Sequence, residues 1–474
     1  MRIFSVELKK SLFMIFLIIL SLLQMGILWT EQNPGVPFLF SSQNRRYNDF
    51  SVDIDKVKDK YIQPERIMVS DGSGALYWQL DTNDGLFHDI WGDFMHSYFR
   101  QILETRPAEG SKPYERDWYL LTKMRCIVVE FKSPVHSDII RLIIGGESTL
   151  SKTLKQIYKI AIFPSESINN NENTLYVFDG ETVYKYVVKI EQGNMKKEEY
   201  IRVVRNIHNN ENIIPVNRLN YFYSSVDNMD LLVSLDENRE KRIWDLLVKT
   251  PDKIILNRDN LDKIEDYLLG DSYKSSMVRK FGEDGTSIIF SDTEKVLRYY
   301  NSGFLDYQYR NKSLGEKGPA NEAFEKAITF IEYRKNNLIE GVDILLTGIE
   351  ERSENYVFTF DYVQDGMEIK IMDLQSQTLK PAITITANRD RVVDVKWYIK
   401  TFSNNDYYNN YSLYFFDIFE NKMIKNYPEV LYNPDIKDIK ISYICPENSM
   451  RAEPYWIIRT EEQDVYLRMQ GKGD

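Results

Sequence analysis

Histidine and cysteine are scarce, with four and two in 474 residues, and that scarcity leaves little room for metal or thiol chemistry. His88, His96, His136 and His208 show neither the i,i+4 spacing of a helical zinc pair nor a neighbouring cysteine. No metal ligand set and no cofactor are expected. Cys126 and Cys445 lie in the apolar, strand-like contexts RCIVVEF and ISYICPE. A chain this long needs no staple to hold a core, so both are expected as buried free thiols. No glycine pattern fits a phosphate cradle, and Gly72-Ser73-Gly74 lacks the strand-to-helix setting of a nucleophile elbow. With 71 carboxylates, no pair stands out as a glycosidase acid and base, and no catalytic residue is assigned. Basic residues are outnumbered, 60 against 71, and the net charge of −11 repels nucleic acid at long range.

Long apolar runs are missing too, with one exception, Ser11 to Trp29, SLFMIFLIILSLLQMGILW, which has no charged residue. A helix needs about 20 such residues to cross a bilayer core. The run is therefore expected as a transmembrane helix over 11–29. Arg2, Lys9 and Lys10 precede it against Glu7, and no basic residue follows until Arg45. The positive-inside rule then puts residues 1–10 in the cytoplasm and the bulk outside it, as a single-pass membrane protein. A cleaved signal peptide is the rival, but no small-x-small site follows the apolar core. Ser21 and Gln24, one turn apart, with Met25 beside them, interrupt the apolar surface and are expected to form a helix-pairing face for a partner. Trp29 is expected as the membrane-interface anchor.

The remainder has the composition of a globular protein, with mean hydropathy −0.42. Its length exceeds one core's worth of sequence, so several domains are expected. Residues 30–60, with Pro34 and Pro37, read as a stalk. A first α+β domain spans 61–200. In it GLFHDIWGDFMHSYFRQILE puts Phe87, Trp91, Phe94, Tyr98 and Ile102 on one helical face. RCIVVEF and IYKIAIF read as strands, and TLYVF and VYKYVVKI as a hairpin around Asp179-Gly180. A middle domain, 201–312, is expected to be helix-rich with strands. DENREKRIWDLLVKT buries Ile243, Leu246 and Leu247 at helical spacing, LDKIEDYLL repeats the pattern, and EDGTSIIFSDTEKVLRYYN gives a turn and two strands. The C-terminal α+β domain, 313–474, opens with a helix carrying Phe324, Ala327, Ile328 and Ile331 on one face. A run of strands follows, with a turn at Asp365-Gly366. The expected fold class is α+β, with helices packed on mostly antiparallel sheets. The aromatic run YYNNYSLYFF at 407–416 suits either a β-rich core or a surface for sugar or protein.

Several short stretches together resemble the YycH family, accessory regulators of the WalK (YycG) sensor histidine kinase in Gram-positive bacteria. Leu28, Trp29, Thr30 and Gln32 match the family's Leu-Trp-Thr-x-Gln-Pro signature after its apolar helix, with Glu31 where an aromatic is usual and Asn33 inserted before Pro34. QPERIMV at 63–69, VEFKSPVHSDII at 129–140, GTSIIFSDTEKVLRYYN at 285–301, and ISYICP followed by PYWIIRT at 454–460 are similar to the body of the family. The resemblance implies no enzyme activity and a C-terminal domain of the fold shared with YycI. It also implies a helix that packs on the kinase's transmembrane helices, together with a YycI-like accessory protein, in control of cell-wall homeostasis. A tethered binding module for wall polymer or a protein ligand is the alternative.

Overall fold

A computed structural model describes Met14, Ser21 and residues 53–73, 76–80, 82–113, 115–145, 154–210, 213–218, 232–234, 236, 240–256, 261–269, 278–282, 285–310, 315–414, 436–460, 463–469 and 471. Val52–Asp474 forms one compact unit. Strand accounts for 48% and helix for 25%, so the architecture is decided by sheet pairing.

The first sheet holds β1 (Arg66–Asp71), β2 (Leu76–Leu80), β3 (Glu109–Pro113), β4 (Arg125–His136), β5 (Gln156–Phe163), β6 (Glu172–Phe178), β7 (Thr182–Lys189), β8 (Ile214–Arg218) and β9 (Leu232–Val233). Their order is β3-β7-β6-β5-β4-β1-β2-β8-β9, and every pairing is antiparallel. Alternation sorts the two faces. Ile67, Val69, Ile127 and Val129 point into the main core, whereas Met68, Cys126 and Val128 join Trp118 in a smaller one. The main-core face is covered by α1 (Gly85–Asp93), a π-helical turn (Phe94–Tyr98) and α2 (Phe99–Glu104). The helix α3 (Glu115–Thr122), which carries Trp118, lies on the other face, and α4 (Ser137–Ile144) and α5 (Lys197–Asn206) follow later in the chain. Asp84 caps α1 by accepting the Leu86 N–H at 2.8 Å.

The second sheet begins with β10 (Glu240–Lys249). After α6 (Leu261–Leu269) come β11 (Val278–Phe281), β12 (Ser287–Ser291), β13 (Lys295–Tyr300) and β14 (Phe304–Tyr309). Beyond α7 (Ala320–Leu338) lie β15 (Asp343–Glu351), β16 (Tyr356–Gln364), β17 (Met367–Met372), β18 (Leu379–Lys380), β19 (Ile383–Ala387), β20 (Val392–Tyr398), β21 (Thr401–Ser412), β22 (Ile436–Pro446), β23 (Arg451–Thr460) and β24 (Asp464–Arg468). The main path runs β11-β12-β13-β14-β20-β19-β16-β17-β22-β23-β10-β21, and β17 with β22 is its parallel pair. The apolar stripe of α7, with Phe324, Ala327, Ile328 and Ile331 fully buried, covers β16, β19 and β20. Asp365 (φ 51) and Gly366 (φ 73) form a tight turn between β16 and β17.

Two expectations need correction. Residues 240–249 are strand β10, not helix. Ile243, Leu246 and Val248 are buried while Leu247 is only half-buried. The register with β21 shifts between Trp244 and Leu246, where β21 carries two more residues than β10, and across that irregularity the buried spacing 243 to 246 imitates a helical i,i+3 step. The second correction concerns the membrane. Among the described residues no helix is long and apolar enough to cross one. The longest described helix, α7, has 19 residues but is amphipathic, with Glu322, Glu325, Lys326, Glu332, Arg334 and Lys335 interspersed. Segment 11–29 lies outside the described residues except for Met14 and Ser21, both helical and exposed. The expected transmembrane helix and the single-pass location built on it are therefore not supported and are set aside. The expected stalk lies mostly outside the described residues as well.

Candidate functional site

The two sheets meet along β4 and β15, and a tight turn at Lys58–Tyr61 packs between β15 and α7. There Tyr61 donates its hydroxyl proton to buried Glu332 at 2.7 Å. Beside this seam lies a cleft of about 570 Å³. One wall comes from the first sheet, with Glu65, Gln79, Leu80 and Thr82. The other comes from the second, with Leu345, Glu368, Lys440 and Ser442. At its lip a Cβ added to Gly366 would stand 2.5 Å from the Thr82 hydroxyl oxygen, so only glycine lets the β16–β17 turn approach this closely.

Ions are concentrated on the cleft face of the second sheet. Asp361 on β16 is fully buried and is held by the Lys370 ammonium, by the Ala382 N–H at 3.1 Å and by Lys132 at 3.9 Å. Lys132, from β4 of the first sheet, also grips Glu368 on β17. Lys440 of β22 reaches Glu368 at 2.9 Å and Glu65 at 3.9 Å, and Lys370 lies 3.6 Å from Glu368. The register explains the grouping. Asp361, Glu368 and Lys370 sit two residues apart or directly opposite on β16 and β17, and Lys440 and Ser442 share their face on β22.

Three ammonium groups therefore surround two well-buried carboxylates. Burial alone would raise the Asp361 carboxyl, but Lys370 and Lys132, with the hydrogen bonds, outweigh it and hold it below the usual carboxylate range. Burial, and then the like charges of Lys370 and Lys440, push the Lys132 ammonium well below the lysine range, against the pull of Asp361 and Glu65.

A second polar cluster lies between α1, α5 and the 191–196 loop. Tyr200 donates to buried Asp93 at 2.5 Å, and the Met195 N–H reaches the same carboxylate at 3.1 Å. Burial raises Asp93. These bonds tie the 191–196 loop to the helices.

The residues singled out from sequence are not brought together. Gln24, Met25 and Trp29 lie outside the described residues, and Ser21 is described as helical and exposed. Cys126 and Cys445 are free and buried, in different sheets, and burial pushes the Cys445 thiol up to about 11. Among the described residues no His, Cys, Asp or Glu group is arranged to hold a metal. Of the aromatic run, Tyr411 and Leu413 are buried. Tyr408 is 42% exposed and lies 3.7 Å beneath the Arg242 guanidinium. The cleft escaped sequence reading because its charges come from β4, β16, β17 and β22, spread from Lys132 to Lys440 along the chain. The one available signal was the polar alternation of Glu368 and Lys370 within MEIKIM.

These features define a two-sheet α+β body with a polar, ion-rich cleft at the seam of its sheets. No protein-family model and no curated protein sequence matches the chain. Among solved structures it is similar to the crystal structure of YycH from Bacillus subtilis, with a TM-score of 0.57 and 14% identity, over 86% of this chain and 96% of that one. The likeness establishes a YycH-like fold.

Proposed function

We propose that the chain is a non-enzymatic accessory regulator of a sensor histidine kinase of the WalK (YycG) class, acting with a second accessory protein similar to YycI. The observation that carries this reading is the extent of the fold likeness, nearly the whole of both chains rather than one shared domain. The short stretches that resemble the YycH family, at 63–69, 129–140, 285–301 and 454–460, fall within the same body. Regulation of this kind is a bias on a two-state kinase. A protein that binds one kinase state about 1.4 kcal/mol more tightly than the other shifts their ratio tenfold. Ser21, Gln24 and Met25 are proposed as contacts with the kinase.

The test is co-purification of the full-length chain with the WalK-class kinase of the same cell, with kinase phosphorylation measured in its presence and absence. A stable complex and a severalfold change in phosphorylation are expected, both weakened by Ser21→Leu with Gln24→Leu. No complex and unchanged phosphorylation would refute the reading. A binding module is the second reading, favoured by one observation, the cleft with its ion-rich wall.

A further inference from the structure

Five consecutive residues of β22, Asp438, Ile439, Lys440, Ile441 and Ser442, line the cleft. Successive side chains of a strand point to opposite faces, so a cavity that touches five in a row must run along the edge of that strand. The pairing agrees. On one side β22 is bonded to β23 over Ile436–Ile444, and on the other β17 pairs only with Tyr443–Pro446. Asp438–Ile441 therefore have no neighbouring strand on the cleft side among the described residues, and the β16–β17 turn stops just short of them. The cleft continues the line of β17 past its end.

Two more features point to an occupant. Ser442 is 1% exposed, and its hydroxyl has no hydrogen-bond partner although it faces the cleft beside Glu368. A buried hydroxyl without a partner is costly unless something bound supplies one. The charges also have a sign. Lys132 and Lys440 are engaged by Glu368 and Glu65, whereas Asp343, Asp365 and Asp438 around the opening have no ion pair among the described side chains.

We infer that the cleft takes an extended peptide segment of a partner protein as an added strand on β22. Its basic side chains lie toward Asp343, Asp365 and Asp438, and its alternate apolar side chains lie toward Ile439, Ile441 and Trp456. Main-chain hydrogen bonds to the β22 edge would give affinity, and the two sides of the slot, one charged and one apolar, would read alternate residues. This inference does not depend on the kinase reading, since it concerns the partner's chemistry only.

The test uses the full-length protein and acetylated seven-residue peptides that alternate valine with lysine, serine or glutamate, followed by fluorescence anisotropy and by amide hydrogen exchange. The lysine series should bind best and the glutamate series worst, with exchange slowed at 438–442. N-methylation of alternate peptide amides should weaken binding at least about tenfold, by removing main-chain hydrogen bonds. Asp343→Asn with Asp438→Asn should weaken the lysine series about fivefold or more. Binding that tolerates N-methylation, or protection outside 438–442, would mean simple attraction to an acidic surface and overturn the inference. Absence of binding by all three series would overturn it too.

Discussion

Asp361→Asn is the sharpest probe of the seam between the sheets. The substitution keeps the shape of the side chain and an acceptor for the Ala382 N–H, but removes the fully buried carboxylate and leaves Lys370 and Lys132 to share Glu368 with Lys440, an excess of positive charge in a buried site. Breaking a buried pair by removing one partner costs about 3–5 kcal/mol, because the remaining charge is desolvated and uncompensated. The compact unit Val52–Asp474 has an unfolding entropy of about 0.9 kcal/mol/K, from roughly 2.1 cal/mol/K per residue. The melting temperature of the variant should therefore fall by about 3–6 °C. Acid gives a second reading. With the native carboxyl held below its ordinary value of 3.8, the unfolded chain takes up the proton first, so this stabilisation is complete above that pH and fades as the pH drops further. Differential scanning calorimetry of both proteins from pH 7 downward should show their gap closing as the pH falls below 3.8. A loss under about 1 °C at pH 7, or a gap that persists in strong acid, would refute the account of Asp361 as the charge that holds the lysines.

Lys132→Met should cost far less than Asp361→Asn, under about 1.5 kcal/mol by urea titration, because Lys370 and Lys440 still neutralise both carboxylates and one costly burial is relieved. Tyr61→Phe should lose about 1–3 kcal/mol in the same assay, since it strips a hydrogen bond from the buried Glu332 carboxylate. Gly366→Ala should destabilise by about 1–2 kcal/mol through its positive φ alone, and further through the Thr82 contact. Adding Thr82→Ala should recover the contact part, and no recovery in a double-mutant cycle would deny that contact. His136 accepts the Asp138 N–H at the start of α4 through Nδ1 at 3.4 Å, which requires the neutral ring. Burial lowers its pKa, so the unfolded chain binds the proton first and stability falls as the pH drops below the ordinary histidine value of 6.5. Urea midpoints at pH 7 and pH 5 should differ less in His136→Asn than in the native protein.

Local pattern and tertiary structure divided the rest. Legible before any folding were the elements whose burial follows a single period: α7, with Phe324, Ala327, Ile328 and Ile331 inward, the β6–β7 and β16–β17 hairpins, whose turns need Gly180 and Gly366, and the two buried thiols. Such elements are legible because periodicity and turn chemistry act over a few residues. That residues 240–249 form a strand follows from sheet pairing alone, because the irregularity that disguises it arises where β10 pairs with β21. The cleft was likewise out of reach. Lys132, Asp361, Glu368 and Lys440 look like ordinary surface charges until sheet register places them on one face. No local pattern records which strand edge will be left without a neighbour, because that depends on where β17 ends beside β22.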